Sequence, residues 1–304
     1  MTRRTASVTF LIGLLVAIAP AGAHAQVEEL LSSYTGANGV AYMEPMKEAV
    51  GNNLSNGLYI SARIPEGGLH ARLDINAMAV SFDDDDRMFT GTPETFASDG
   101  RLVPTIIGDT EAVTVDDPSG SGAQFVFPGG FDIENFALAV PQLTVGSLWG
   151  TEATLRYVAV NFNSDDENDE LGDLEVFGFA VRHNVSQYFE GWPVDVAAMF
   201  AYQEFTMGED NLLETNGQTY GAQASHDFGL LEPYGGLALE SFDMDVHYTT
   251  DFGGATEEIV LDFDRSTTMH LTAGLTMRLA FFHLNAEANF ASQTSFAMGL
   301  GLGL

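Results

Sequence analysis

The sequence predicts an all-β chain that folds into a transmembrane antiparallel β-barrel of about 12 to 14 strands, with a short N-terminal helical segment inside the lumen. The last ten residues, 295–304, place large apolar side chains at every second position, with glycine or alanine between most of them. Such a strand has one face for lipid and one face for a crowded lumen. The residues before the first strand follow a helical period instead. Residues 57–304 are therefore assigned to the barrel.

The same alternation recurs along the chain and defines its strands. The clearest segment is Phe282–Phe290, in which leucine, alanine and phenylalanine alternate with histidine, asparagine and glutamate. The other predicted strands are Leu58–Ile64, His70–Phe82, Ala139–Leu148, Thr151–Phe162, Leu174–His183, Val194–Gln203, Thr219–Ser225, Tyr234–Val246 and Met269–Arg278. Bacterial barrels usually have an even number of strands. We therefore expect a further strand from Gln124–Phe127 or Leu102–Ile107.

The first 25 residues have the features of a secretory signal peptide. Arg3 and Arg4 precede an apolar run at residues 10–19, and Ala23, His24 and Ala25 have the small-x-small form of a cleavage site. The apolar run is too short to span a bilayer as a helix. We expect export to the outer membrane of a Gram-negative bacterium, with the barrel-assembly machinery as a partner during insertion and outer-membrane lipid around the folded chain.

Composition excludes several classes of function. The chain has 43 acidic and 11 basic residues, a net charge of -32 and no cysteine. A polyanionic surface repels nucleic acid, so we expect no nucleic-acid partner. Without cysteine there is no disulfide framework and no thiol nucleophile.

The acidic residues are concentrated between strands, where they predict external loops. The long region Asp83–Leu138 is expected to fold over the mouth of the barrel. The other predicted external loops are Asn163–Gly172, Met207–Asn216 and His247–Asp264, and the predicted periplasmic connections are Trp149-Gly150, Asn184–Pro193, Gly229–Leu231 and Leu279–Phe281. The acids could simply be solvated. Alternatively Ca²⁺ or Mg²⁺ binds at Asp83, Asp84, Asp85, Asp86, Asp165, Asp166 and Glu167. No other cofactor is expected.

A helical segment lies between the signal peptide and the first strand. Apolar residues recur at intervals of three or four, namely Tyr42, Pro45, Met46, Ala49, Val50 and Leu54. This spacing predicts an amphipathic helix over Glu44–Leu54, with Pro45 in its first turn. A second short helix is predicted over Val27–Ser33. Residues 26–56 are thus either a cap that orders the chain or a plug inside the lumen, with Tyr42, Met46, Val50 and Leu54 on the packing face.

Charged residues on the lumen faces of the strands are candidate functional residues. They are Arg156, Arg182, His270, Arg278, His283 and Glu287. Charges inside a barrel can select a permeant by its sign. Alternatively they pair with one another or with carboxylates of the plug, which satisfies their burial. His183 and Ser186 lie close together, but no glycine-flanked serine elbow is present, so no enzymatic activity is expected.

Several runs of residues resemble a known family. They are Pro141–Gly146, Gly150-Thr151-Glu152, Leu155-Arg156-Tyr157, FGFAVRHNVSQYF at residues 177–189, Pro193-Val194-Asp195, and YMEPMKEAVGNNLSNGLY at residues 42–59. They are similar to an uncharacterised outer-membrane β-barrel family, a domain of unknown function of Bacteroidetes-like bacteria. The resemblance covers most of the mature chain. It implies a barrel with an internal N-terminal helical segment, organised somewhat like the long-chain fatty-acid transporters, and it assigns no reaction. The acid-rich loops and the near absence of lysine depart from the family pattern.

Two functions remain open. The first is a plugged channel or transporter for a small hydrophobic molecule, and the second is a structural or surface-display barrel with acidic, cation-binding loops. A transporter is expected to hold an apolar pocket between the Glu44–Leu54 helix and the barrel wall, whereas a structural barrel is expected to have a filled lumen.

Overall fold

Ten strands close into an antiparallel barrel in the computed structural model, which describes residues 30–34, 36–161, 173–208, 211–252 and 255–303. The fold class predicted from the sequence is confirmed, whereas the predicted signal peptide lies outside the described residues. The barrel strands are β1 (His70–Ser81), β6 (Asn135–Leu148), β7 (Thr151–Asn161), β8 (Asp173–Asn184), β9 (Asp195–Met207), β10 (Leu213–Ser225), β11 (Leu231–Phe252), β12 (Ala255–Leu279), β13 (Phe282–Phe290) and β14 (Thr294–Gly303). Four short strands form two hairpins apart from the wall: β2 (Met88–Gly91) with β3 (Arg101–Pro104), and β4 (Val113–Asp116) with β5 (Gln124–Phe127).

The strand count of 12 to 14 is wrong for the barrel wall. Leu58–Ile64 alternates in sequence but is not a strand, because it runs inside the lumen rather than in the sheet. Both proposed sources of a further strand, Gln124–Phe127 and Leu102–Ile107, contribute to the hairpins outside the wall. The other ten predicted strands form the barrel, which closes where β1 pairs with β14 on one side and β6 on the other.

The outer surface of the wall is an apolar belt. Its exposed side chains include Leu73, Ile75, Leu143, Val145, Leu155, Phe179, Val181, Leu237, Leu239, Met269, Leu271, Leu284, Phe296, Met298 and Leu300. Exposed aromatic residues gather at the end of the barrel where β14 ends, among them Trp149, Tyr188, Trp192, Phe228 and Phe281. None of the described helices is long and apolar enough to cross a bilayer.

The two ends of the barrel differ. At the turn end, where β1 begins and β14 ends, the connections are residues 149–150, 185–194, 226–230 and 280–281. At the opposite, loop end lies the insertion 82–134 with its two hairpins. The predicted loop His247–Asp264 is wrong, because its described residues, 247–252 and 255–264, extend β11 and β12. The extension forms because Tyr248 and Leu261 turn inward and are buried in the core at this end. The predicted loop Asn163–Gly172 lies outside the described residues.

One α-helix, α1 (Ala37–Ser55), fills the loop-end half of the lumen. It is longer than the predicted Glu44–Leu54, so that Pro45 lies within it rather than in its first turn. The start of the helix is not evident from the sequence, because Ala37, Asn38 and Gly39 do not continue the apolar period. The helix packs against the barrel strands β1, β6 and β9–β12 and against β2. Of the second predicted helix, only Leu30 and Leu31 are helical within the described residues.

The insertion 82–134 packs over the start of α1. The backbone N–H of Ile106 donates to the Tyr42 carbonyl at 3.0 Å, and the Tyr42 hydroxyl donates to the Gly129 carbonyl at 2.8 Å. Tyr42, Met46, Val50 and Leu54 all lie in one buried core with the insertion and the inner wall. That core also contains Tyr34, Val103, Ile107, Phe127, Phe205, Val246, Tyr248 and Phe263. The loop end of the lumen is thus closed by apolar packing.

Candidate functional site

The turn-end half of the lumen is crossed by an extended segment, residues 56–64, which we call the strap. Together, α1 and the strap (residues 37–64) are called the plug. Residues 56–62 are buried, yet they belong to no strand. A buried backbone needs partners for its N–H and C=O groups. Here those partners are side chains of the lumen wall, and they make the plug–wall boundary the candidate site.

Arg156 holds the junction between α1 and the strap. Its guanidinium donates to the backbone carbonyls of Leu54, at 2.9 Å, and Asn56, at 2.7 Å. It also donates to the side-chain oxygens of Gln142, at 2.9 Å, and Gln203, at 3.0 Å. The last carbonyls of a helix lack intrahelical partners and carry partial negative charge. A buried cation at this position therefore satisfies the end of α1.

Glu287 binds the strap one residue further on. Its carboxylate accepts the Gly57 N–H at 2.6 Å and the Tyr234 hydroxyl at 3.0 Å. Arg156 lies on β7 and Glu287 on β13. The two charged residues thus bind residues 54–57 from different parts of the wall.

The middle of the strap is held at Ile60, Ser61 and Ala62. Thr276 donates to the Ile60 carbonyl at 2.6 Å, and the Ala62 N–H donates to the Ser225 hydroxyl at 2.9 Å. Of these three residues, Ser61 forms the most hydrogen bonds with the wall. Its carbonyl accepts from Arg182 at 3.1 Å and from Gln223, and its hydroxyl donates to Glu232 at 2.5 Å. Arg182 is paired in addition with Glu152.

The strap leaves the lumen at Arg63, where it reaches the turn end. Arg63 forms an ion pair with Asp227 in the turn between β10 and β11. The Gly229 N–H holds the pKa of Asp227 below its ordinary value, so this carboxylate stays charged at neutral pH. Beyond Arg63, the Asn184 side chain donates to the Ile64 carbonyl at 3.2 Å. The chain then turns back into β1.

The remaining predicted lumen residues pair with the wall. His270 lies 2.6 Å from Glu240 and 2.9 Å from Asn289. His283 pairs with Asp74, and Arg278 pairs with Glu232. The six predicted residues thus all face the lumen but form no single cluster. Their described ion-pair partners are wall carboxylates, not the plug carboxylates that the sequence suggested as an alternative.

Sequence reasoning missed the partners of these residues. Asp74, Glu152, Glu232 and Glu240 are buried carboxylates, and Gln203 and Gln223 bind the backbone of α1 and of the strap, respectively. A signal for them existed in the sequence, because each is a charged or amide residue at a lumen-facing position of a strand whose alternate residues are largely apolar. The glycines of β14 are a second signal, because they leave room for polar side chains of the neighbouring strands.

Gly299 and Gly301 make room for polar side chains inside the wall. A Cβ at Gly301 would overlap Asp74 and His283, and a Cβ at Gly299 would overlap Asn76 and Asn285. In the sheet register, Gly301 lies between Asp74 on β1 and His283 on β13. The Asp74–His283 pair therefore passes directly over a residue that has no side chain.

Cavities adjoin the plug at its start, along α1 and at the turn end. The cavity at its start measures about 480 Å³ and is lined by Ala37, Asn38 and Ala41 of α1 and by Thr90, Thr92 and Glu94 of the insertion. A turn-end cavity of about 430 Å³ lies beneath the strap and is lined by Ile60, Ser61 and Arg63 of the strap and by both wall and turn residues. A smaller space beside α1, lined by Gly51, Leu54 and Phe242, measures about 10 Å³. That volume is at the lower limit for one water molecule. The apolar pocket expected of a transporter is not found at this position, and a Cβ on Gly51 would already overlap the Phe242 ring.

No metal centre forms within the described ranges, where no three His, Asp or Glu side chains converge. Asp84–Arg87 is a short 3₁₀ helix, and the aspartates at 83–86 are spread along it rather than converging. Asp165, Asp166 and Glu167 lie outside the described residues. Cation binding by the acidic loops stays a prediction.

Comparison with known families gives one match along almost the whole chain. Residues 3–304 match the model of a family described as "Family of unknown function (DUF6588)". The chain belongs to this family. The predicted resemblance to an outer-membrane barrel family of unknown function is borne out at that level, whereas its Bacteroidetes origin and its likeness to fatty-acid transporters stay predictions. No curated protein matches the sequence.

Solved structures that resemble this DUF6588 member include outer-membrane proteins. The translocator domain of the autotransporter NalP from Neisseria meningitidis is 11% identical, with a TM-score of 0.36, and the match covers 88% of this chain and 98% of that one. The outer-membrane protease OmpT from Escherichia coli is 8% identical, with a TM-score of 0.36 and coverages of 79% and 97%. The toluene transporter TbuX from Ralstonia pickettii is 7% identical, with a TM-score of 0.30 and coverages of 83% and 93%.

The expectation of no enzymatic activity is corrected by this comparison. It rested on the absence of a serine elbow, yet a protease is among the solved structures that match the chain. The low identity and TM-score do not make the present DUF6588 member an enzyme.

Proposed function

We propose that this DUF6588 protein is an outer-membrane channel that residues 37–64 hold closed. The observation that carries the proposal is the polar boundary between the strap and the wall. Arg156, Arg182 and Glu287 form hydrogen bonds with the plug backbone, at Leu54, Asn56, Gly57 and Ser61, in addition to those with other residues of the wall. A displaced strap would leave behind a wall lined with charged and amide groups, which water can solvate.

The cost of burying charge supports a channel over a purely structural barrel. Replacing buried ion pairs by well-packed apolar residues is often neutral or stabilising. A barrel that served only as an anchor therefore gains nothing from the buried acids Asp74, Glu152, Glu232 and Glu240. Ionisable residues at membrane depth more commonly belong to a permeation pathway.

The apolar belt and the aromatic residues at the turn end support an outer-membrane location. In barrels of this type the short turns are periplasmic and the longer loops extracellular. This orientation places the strap exit and the 430 Å³ cavity at the periplasmic mouth. It places the start of α1 and the acidic insertion 82–134 at the cell surface.

The lining favours a hydrophilic solute as cargo over the hydrophobic molecule expected from the sequence. The strap contacts arginine, glutamate, glutamine and hydroxyl side chains, and the space beside Gly51 and Leu54 of α1 is too small for an apolar ligand. A fatty-acid cargo therefore has no support in the geometry of the described lumen.

Removal of residues 26–64 tests this proposal. Planar-bilayer recordings are made on the intact protein and on the shortened variant, after circular dichroism has shown that both are β-folded. We expect the intact protein to be silent and the variant to conduct, because the lumen wall then faces water. A folded but silent variant would contradict the channel and favour a structural barrel.

A second candidate function is an anchor that displays an acidic head. The insertion 82–134 carries 12 acidic and two basic residues and shares one apolar core with the start of α1. This core seals the loop end of the lumen. A sealed lumen is what the structural alternative requires, so the conductance experiment decides between the two functions.

A further inference from the structure

The turn-end cavity beneath the strap is unusually rich in cations for such an acidic chain. Of the 11 lysines and arginines in the sequence, four line this cavity, Arg63, Arg72, Arg182 and Arg278, along with His70 and His283. Its volume of about 430 Å³ lies in the range of small-molecule sites. Phe281 and Phe282 supply aromatic surface on the same lining.

The donors of this cavity are not all used. Arg182 is 2% exposed, and its Nε has no hydrogen-bond partner among the described residues. A buried donor without a partner is costly, and a ligand that accepts from it removes that cost. Arg182 lies in the cavity wall.

The charges around the cavity nearly balance without a ligand. Arg182 pairs with Glu152, Arg278 with Glu232, Arg72 with Asp74 and Arg63 with Asp227. His70 and His283 share two of these carboxylates, Glu152 and Asp74. A cationic ligand would meet arginine side chains, which are themselves cations and have no acceptor atom. An anion would meet guanidinium N–H groups on the strap, on β8 and on β12 at once.

We propose that this cavity binds a small organic anion, a carboxylate or phosphate joined to an apolar group. Guanidinium groups bind such oxyanions through charge-assisted hydrogen bonds. Phe281 and Phe282 contact the apolar part. Binding to the closed protein does not require movement of the plug. The binding test of this site and the conductance test of the channel therefore have independent outcomes.

Isothermal titration calorimetry on the intact protein in phosphatidylcholine nanodiscs tests the site. The probes are benzoate, its neutral isostere benzamide, and inorganic phosphate. Loss of a charge-assisted hydrogen bond corresponds to about tenfold or more in affinity. We therefore expect benzoate to bind at least about tenfold more tightly than benzamide, and more tightly than phosphate.

Matched arginine variants locate the binding. Arg63 and Arg265 both form ion pairs with an aspartate, and their side chains are 54% and 51% exposed, but only Arg63 lines the cavity. We expect Arg63→Gln with Arg278→Gln, or Arg63→Gln alone if the pair does not fold, to weaken benzoate binding, and Arg265→Gln to leave it unchanged. Equal binding of benzoate and benzamide, or no effect of Arg63→Gln, would overturn the site. Tighter binding of phosphate would overturn the apolar component.

Discussion

Replacing Arg156 with alanine is expected to lower the free energy of unfolding by about 3 kcal/mol and to produce a barrel that leaks ions. The substitution orphans the Asn56 carbonyl and the side-chain oxygens of Gln142 and Gln203, three buried acceptors that Arg156 satisfies. Each such group costs about 1 to 3 kcal/mol when it is left unpaired. The Leu54 carbonyl keeps a second donor, Gln203. The junction between α1 and the strap is therefore weakened rather than lost.

Urea unfolding in lipid vesicles measures the stability of the Arg156→Ala variant, and bilayer recording measures its leak. Arg156→Lys keeps the charge but replaces a planar fork by a compact ammonium that cannot span both carbonyls, so an intermediate loss is expected. Arg265→Ala is the control, because an exposed ion pair contributes about 0 to 1 kcal/mol. Equal unfolding midpoints for Arg156→Ala and Arg265→Ala would contradict the role assigned to Arg156.

Replacing Gly301 with valine is expected to destabilise the barrel by about 1 to 3 kcal/mol, because extra side-chain atoms are forced into a packed site. A side chain at this position would occupy the space in which Asp74 meets His283. The neighbouring strands β1 and β13 are paired to β14 on both sides, so the two side chains have little room to move apart.

The matched control is Gly303→Val on the same face of the same strand. A Cβ at Gly303 meets Arg72 at 3.7 Å and the Ala71 carbonyl at 3.9 Å, which are ordinary contacts. Valine also suits a strand better than glycine does. We expect Gly303→Val to be neutral or slightly stabilising in the same urea experiment. If both glycine variants lost the same stability, the crossing of Asp74 and His283 over Gly301 would be refuted.

Much of the wall was predictable because alternation of side chains reports a strand directly. Phe282–Phe290 was predicted to the residue, since both of its faces have a distinct environment. Leu58–Ile64 is wrongly predicted as a strand for the same reason, because an extended segment in a lumen also presents alternate side chains in two directions. No sequence pattern distinguishes backbone bonded to a neighbouring strand from backbone bonded to side chains.

The site was less predictable than the wall. The sequence marked Arg156 and Glu287 as lumen residues, but their partners are backbone atoms of the strap, at Asn56 and Gly57. Such contacts join residues 100 to 230 positions apart and carry no side-chain signature at one end. The length of α1 was hidden similarly, because its first turn packs under the insertion 82–134 without an apolar period of its own.

A reversible disulfide between plug and wall tests whether the plug closes the lumen. The Ser55 and Thr219 hydroxyl oxygens lie 3.3 Å apart, one on α1 and one on β10, and the native chain has no cysteine. Ser55→Cys with Thr219→Cys is placed in the Arg156→Ala background, so that oxidation can join the plug to the wall. The control pair, Thr144→Cys with Thr154→Cys, joins two wall strands whose hydroxyls are 2.8 Å apart.

Bilayer conductance is then recorded before and after reduction. If residues 37–64 close the lumen, the oxidised plug–wall variant is silent, reduction restores the leak, and the wall–wall control leaks in both states. A plug–wall variant whose conductance is the same before and after reduction would show that the plug does not gate the barrel.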